Sequence, residues 1–251
     1  MYILAIETTG PFCSVALVND EGLFMEKSSE EEMNHLQGLL PLTQQLLDEA
    51  GVEKTQLTHV AASVGPGSFT GIRIGVSTAR ALGQALNLPL VVVPTLEAFK
   101  FKDVAAMQID TQDGVICAII NARRGQVYGI VEDYMEAGPY MLTDVLKVIT
   151  EEVRPSGRPV YFYGDGIDAY EEKINEILGE AGMKLQQDYF FAPTEVRYQN
   201  ALSVGKMAME EAFYGEELHY NDLHPEYMRK AEAQQKLEAG QLPICKGPKQ
   251  E

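Results

Sequence analysis

The chain of 251 residues is long enough for one large domain or two of ordinary size, and its 45% apolar content gives it a core to fold around. Its 37 acidic and 20 basic residues leave a net charge of −17, a surface that a nucleic-acid backbone repels, which counts against a protein that grips RNA by itself. No apolar run approaches the ~20 residues that span a bilayer, Met1-Tyr2-Ile3-Leu4-Ala5-Ile6-Glu7 lacks the basic region and cleavage site of a leader, and Cys13, Cys117 and Cys245 lack Cys-x-x-Cys spacing, all as expected of a reduced, cytoplasmic protein.

Residues 2–7, about 12–19 and 22–28 read as a three-strand meander, with turns at Thr8-Thr9-Gly10-Pro11 and Asn19-Asp20-Glu21-Gly22. Ile6-Glu7-Thr8-Thr9-Gly10 ends a strand on a carboxylate before small hydroxyl residues and glycine. The pattern resembles the first phosphate loop of the actin-like ATPase superfamily, where such a carboxylate can hold a magnesium-bound water while the turn faces phosphate; the other reading is a hairpin with a solvated acid. The residues alone favour the plain hairpin. A helical region follows from Glu30 to Ala50, with Leu36, Leu39, Leu40, Leu46 and Leu47 as its apolar stripe. Pro41 is expected to kink or divide it. His35, His219 and His224 have no partner at metal-ligand spacing, so no metal site is expected, and His35 reads as a surface or interface residue.

The stretch 58–86 organises the chain. Thr58 to Val64 is a short apolar run that predicts a buried strand, Gly65-Pro66-Gly67 punctuates it, and Ser68 or Thr70 is placed to cap a helix. Ile72, Val76, Ala79 and Leu86 then recur at helical spacing. The turn is not a Walker A loop, because no Gly-Lys-Ser/Thr follows and Arg73 stands alone. Amides at a helix start can hold an anion, yet spacing alone favours a tight turn that packs the helix on its sheet. Gly71, Gly75, Ala79 and Gly83 fall every four residues and make a ridge without bulk. Each interior glycine costs about 0.5–1 kcal/mol relative to alanine. A second chain's helix or the chain's own sheet would equally account for such a ridge.

Leu90 to Pro94 predicts another buried strand, and Thr95 caps a helix from Leu96 to about Lys100. The mixed segment Lys102 to Gly114 is the candidate lobe boundary. Val115 to Ile120 then restarts the plan as a strand, Asn121-Ala122-Arg123-Arg124-Gly125-Gln126 turns it, and Val127 to Glu132 returns. This weak internal repeat points to two related α/β lobes. Val160 to Tyr163 is a strand, Gly164-Asp165-Gly166 a turn, and helices follow at about Asp168–Gly182 and Gln199–Tyr214. Gly240 to Glu251 reads as a frayed tail.

Ser63-Val64-Gly65-Pro66-Gly67-Ser68-Phe69-Thr70-Gly71-Ile72-Arg73-Ile74-Gly75 resembles the signature of the bacterial TsaB family, formerly YeaZ. Ala122-Arg123-Arg124-Gly125-x-Val127-Tyr128 and the segment from Pro225 to Glu232, with Pro-x-Tyr-x-Arg near Ala-Glu, look like the same family. The resemblance covers residues 1–234 and implies an α/β chain of the ASKHA (actin-like ATPase) fold, two related lobes each with a mixed sheet flanked by helices. The expected division is 1–104, then 105–234 with its C-terminal part free to pack back on the first lobe, then a flexible tail 235–251.

By the same resemblance the chain is a non-catalytic scaffold for the catalytic paralogue TsaD, working with the ATPase TsaE in threonylcarbamoyl transfer to N6 of the adenosine 3′ of the anticodon. It is implied to pair with itself when alone, to meet tRNA only through the complex and to meet no membrane. Pairing through first-lobe helices assigns the interface to His35, Leu36, Leu39, Leu40, Gly71, Gly75, Ala79 and Gly83. Superfamily phosphate turns assign nucleotide or anion contact to Glu7, Thr8, Thr9, Gly65, Gly67, Ser68, Arg123, Gly164 and Gly166. No cofactor is required; weak ATP or ADP binding is allowed, with Mg only alongside nucleotide. The alternative is an active ASKHA ATPase or small-molecule kinase, which needs a second acid at the Asn121 turn. A metallopeptidase lacks paired ligands here.

Overall fold

The computed structural model describes residues 1–32, 35–102, 113–214 and 218–228. The first half builds β1 (Tyr2–Glu7), β2 (Ser14–Asn19), β3 (Phe24–Ser28), α1 (His35–Ala50), β4 (His59–Gly65), α2 (Phe69–Leu86) and β5 (Leu90–Pro94). They form one five-stranded sheet in the order β3-β2-β1-β4-β5, an antiparallel meander continued by two parallel strands. After the short α3 (Thr95–Ala98) come β6 (Val115–Asn121), β7 (Gln126–Val131), β8 (Met135–Met141), α4 (Leu142–Val148), β9 (Val160–Tyr163), α5 (Gly166–Glu180), β10 (Tyr189–Phe191), the short α6 (Thr194–Arg197) and α7 (Ala201–Tyr214). The second sheet, read β8-β7-β6-β9-β10, repeats the first in order and in strand direction.

The strands β1, β2 and β4 are buried on both faces because both faces are covered. Leu4, Ile6, Val15, Leu17, Val60 and Ala62 join the core that includes Leu39 and Leu46 of α1 and Ile72 and Val76 of α2. The alternate residues Ile3, Ala5, Ala16, Val18 and Ala61 meet Ala201, Val204 and Ala208 of α7. The last described helix therefore packs on the first sheet. Small residues on both sides set that approach: a Cβ on Gly205 would press on Val18 at 2.9 Å. No described helix is long and apolar enough to cross a membrane.

Several local expectations change. Pro41 lies inside an unbroken α1. It and Gln37 are exposed, so water can serve the carbonyl that the missing N–H leaves free. Thr95 caps nothing: its hydroxyl is buried without a hydrogen-bond partner among the described residues, α3 begins after Pro94, and a 3-10 turn, Phe99–Phe101, completes the helical stretch. Ser68 does cap α2, accepting from Gly71 N at 3.2 Å. β8 escaped the pattern reading because Gly138 and Pro139 interrupt it, residues that an edge strand tolerates. Residues 103–112, most of the expected boundary, lie outside the described residues, as do Arg229 and the expected tail.

The small-residue ridge is settled by contact. Gly71, Gly75, Ala79 and Gly83 are all buried. A Cβ on Gly71 would overlap the Thr8 carbonyl, one on Gly75 the Thr8 hydroxyl, and one on Gly83 the Leu90 side chain at 2.7 Å. The ridge is the seam between α2 and its own sheet, not an open face. His35 and Leu39 are likewise interior, at 1% exposure each, whereas Leu36 and Leu40 stand at 78% and 58%. Of the eight residues assigned to pairing, these two leucines reach the surface.

Gly75→Leu is accordingly expected to destabilise the fold by about 3 kcal/mol or more, since overpacking a closed seam displaces backbone. Leu36→Ala should stay within about 0.5 kcal/mol, as an exposed position does. Denaturant unfolding of both variants checks this; an unchanged midpoint for Gly75→Leu would overturn the seam.

Candidate functional site

Of the expected contact residues, Glu7, Thr8, Thr9, Gly65, Gly67 and Ser68 lie together where β1 and β4 end and α2 begins. Glu7, the last residue of β1, is fully buried. Its Oε1 accepts from Thr9 N and its Oε2 from Ser63 Oγ. Burial pushes its pKa up from the ordinary 4.5, while the bonds from Ser63 and Thr9 and the charge of Lys102 pull it down. Thr8 Oγ1 donates to Gly71 O at 2.7 Å, and Ser68 N donates to Thr9 O at 2.8 Å. A Cβ on Gly67, whose φ is +156°, would overlap Thr9. The turn after β1 and the turn after β4 are thus stitched to each other.

A third segment lies across them. Leu223 is buried in the first core, and Glu226 N donates to Val64 O at 2.8 Å. The Glu226 carbonyl occupies the space a Cβ on Gly65 would need. Gly65, at φ +126°, therefore answers to a close backbone approach from within the chain.

The matching turn of the second half is closed by other means. Asn121 N donates to Asp165 Oδ1 at 2.9 Å, and Asn121 Oδ1 accepts from Arg123 N at 2.8 Å and from Tyr170 OH at 3.2 Å. Gly125 N donates to the same tyrosine hydroxyl at 3.1 Å. Arg123 and Arg124 adopt φ of 63° and 55°. Gly164 and Gly166 pack on Ile119: a Cβ on either would overlap the Ile119 carbonyl region of β6. They are packing glycines as well. Asp165 does bring an acid to the Asn121 turn, which the spacing of the sequence did not reveal. Burial pushes its pKa up, with the Asn121 amide bond opposing.

Two further groups were missed. Lys102 donates from Nζ to Tyr198 O and ties the stretch after α3 to the segment before α7. Burial lowers its pKa to about 8, against the pull of Glu26 and Glu7. Gln199 packs on Gly10, and its amide is buried without a hydrogen-bond partner among the described residues. Both arise from contacts between distant segments, so no local motif signals them. Among the described residues no group of three His, Cys, Asp or Glu side chains is placed to hold a metal ion.

Two halves on one strand plan, each with a tight turn closing its first strand, define the ASKHA fold. A family model described as "TsaD: tRNA N6-adenosine threonylcarbamoyltransferase" matches residues 29–237. The tRNA threonylcarbamoyladenosine biosynthesis protein TsaB of Bacillus subtilis (strain 168) is 31% identical over 94% of this chain and 97% of its own. The protein of the same name from Escherichia coli (strain K12) is 38% identical over 51% of this chain and 53% of its own. The solved structure of YeaZ from Pseudomonas aeruginosa superposes with a TM-score of 0.68 at 25% identity, covering 90% of this chain and 99% of that one. The chain belongs to the TsaB (YeaZ) family, inside the wider group that the TsaD description covers.

The buried acid gives a pH signature. A carboxyl whose folded pKa is raised contributes stability that is complete below its unfolded value and is lost as pH rises through the folded one. Glu7→Gln is therefore expected to gain on the wild type as pH climbs from below the ordinary 4.5 to neutrality. Paired unfolding curves across that range check it; parallel curves would show that Glu7 ionises as easily folded as unfolded.

Proposed function

We propose that this chain is a non-catalytic subunit that supports threonylcarbamoyl transfer to tRNA adenosine by a TsaD transferase. The observation that carries the reading is the closure of both strand-end turns by bonds within the chain: Ser68 to Thr9 and Glu226 to Val64 in the first half, Asn121, Tyr170 and Asp165 in the second. Ser68 N, Asn121 N, Arg123 N and Gly125 N, amides that a phosphate turn could offer, donate within the chain instead. Glu7 is held by Thr9 and Ser63 instead of facing a metal-bound water. Such turns serve a rigid scaffold better than a nucleotide cycle, so the chain requires no cofactor, and ATP or ADP binds weakly if at all, with Mg only alongside it.

Pairing uses the exposed side of α1, where Leu36 and Leu40 stand one turn apart. The same leucines serve an isologous homodimer when the chain is alone, which separates before the transferase binds. With a net charge of −17 the chain meets tRNA only through its partner, and TsaE joins through that assembly.

The decisive experiment is transfer of threonylcarbamoyl to tRNA by purified TsaD and TsaE with and without this chain, alongside ATP hydrolysis by the chain alone. Transfer is expected only when the chain is added, with no hydrolysis of its own, and Leu36→Asp with Leu40→Asp should reduce transfer at least tenfold through lost pairing. Robust hydrolysis by the chain alone, abolished by Glu7→Gln, with no effect on tRNA, would replace this reading with that of an active ATPase or kinase.

A further inference from the structure

Where α2 begins, one cation is held in a way the fold does not require. The Arg73 guanidinium lies 4.0 Å from the centre of the Phe69 ring and 5.9 Å from that of Tyr227. The two rings are 4.8 Å apart, and Arg73 Nε donates to Tyr227 OH at 2.9 Å. All three residues are at the surface, with Phe69 39% and Tyr227 40% exposed. Tyr227 is positioned from both sides, by the Glu226–Val64 hydrogen bond with buried Leu223 before it and by Met228, which packs on the core containing Leu96 and Phe99.

The arginine itself is incompletely used. In a chain with 37 acidic residues, no carboxylate among the described residues pairs with it, and its two terminal nitrogens have no acceptor there. A planar guanidinium fixed between rings, with one N–H spent on orientation and the terminal fork free, is preorganised for a carboxylate in a bidentate pair. Exposed aromatic rings beside an arginine are the residue types enriched at the centre of binding hot spots. We propose that Phe69, Arg73 and Tyr227 form an anchor for a carboxylate set in an apolar surface of the transferase partner, on a docking face made jointly by α2 and the segment 223–228.

The inference rests on the partner-binding reading of the chain. Charge carries the choice of occupant. A chain at −17 presents mostly acids to a partner, so an exposed arginine fixed between rings and without a carboxylate partner among the described residues is a point of reversed sign that a partner acid can read and that fixes register. A phosphate also suits the fork, but the surrounding charge repels an RNA backbone.

The test is the affinity of the full chain for purified TsaD by calorimetry, across low to high salt, for wild type, Arg73→Lys, Arg73→Glu and Tyr227→Phe. Arg73→Glu is expected to weaken binding at least thirtyfold. Arg73→Lys, which keeps the charge but loses the fork, should lose about tenfold, and Tyr227→Phe about threefold, each with an unchanged unfolding midpoint. Salt should weaken the wild type more steeply than Arg73→Glu. Folded variants that bind TsaD as the wild type does would overturn the anchor while leaving the subunit reading intact. Variants that alter only self-association, or only a direct shift of tRNA by the chain alone, would overturn the choice of partner. A wild type that does not bind TsaD at all would overturn both readings.

Discussion

The structure depends on how closely α2 lies on the end of β1. With glycine at 71 and 75, the helix backbone comes down onto Thr8 itself, and Thr8 Oγ1 donates to Gly71 O. That approach brings Ser68 within reach of the Thr9 carbonyl and seats the turn over Glu7. The acid is thereby shut away from water and is tolerable only because Thr9 N and Ser63 Oγ serve both of its oxygens. Glycines that cost the helix about 0.5–1 kcal/mol each permit a backbone approach that alanine would block.

The two halves share a strand plan and differ in how they finish it. In the first, hydroxyl groups and a crossing segment close the turn; in the second, a tyrosine hydroxyl and Asp165 do so around Asn121. Arg123 and Arg124 accept a left-handed backbone to make that closure. Different side chains thus arrive at one outcome, a turn tied by hydrogen bonds within the chain.

Much of the fold was legible because its central strands are continuous apolar runs. Val115 to Ile120 and Val160 to Tyr163 could hardly be anything else, and the meander recurring after Asn121 betrayed the duplication. What failed was a matter of what a face meets. The four-residue spacing of Gly71, Gly75, Ala79 and Gly83 established one helix face correctly, yet spacing holds no information about whether the neighbour is the same chain. The seam with Thr8 answers that, and of the assigned interface residues it is Leu36 and Leu40 of α1 that reach the surface. Lys102, Asp165 and Gln199 were invisible for a related reason: each acts across a long loop in sequence, on Tyr198, Asn121 and Gly10 respectively. The family-like segment at Pro225 to Tyr227 was found, but its place across the Gly65 turn was not.

The packing of α7 on the first sheet sets an order for the chain's synthesis. Ile3, Ala5, Ala16 and Val18 leave the ribosome early, but the helix that covers them, with Ala201, Val204 and Ala208, is made only after the whole second sheet. At the usual pace of translation that interval is on the order of ten seconds or more. The first half thus waits with one greasy side bare, and is a completed body only when nearly the entire polypeptide has emerged.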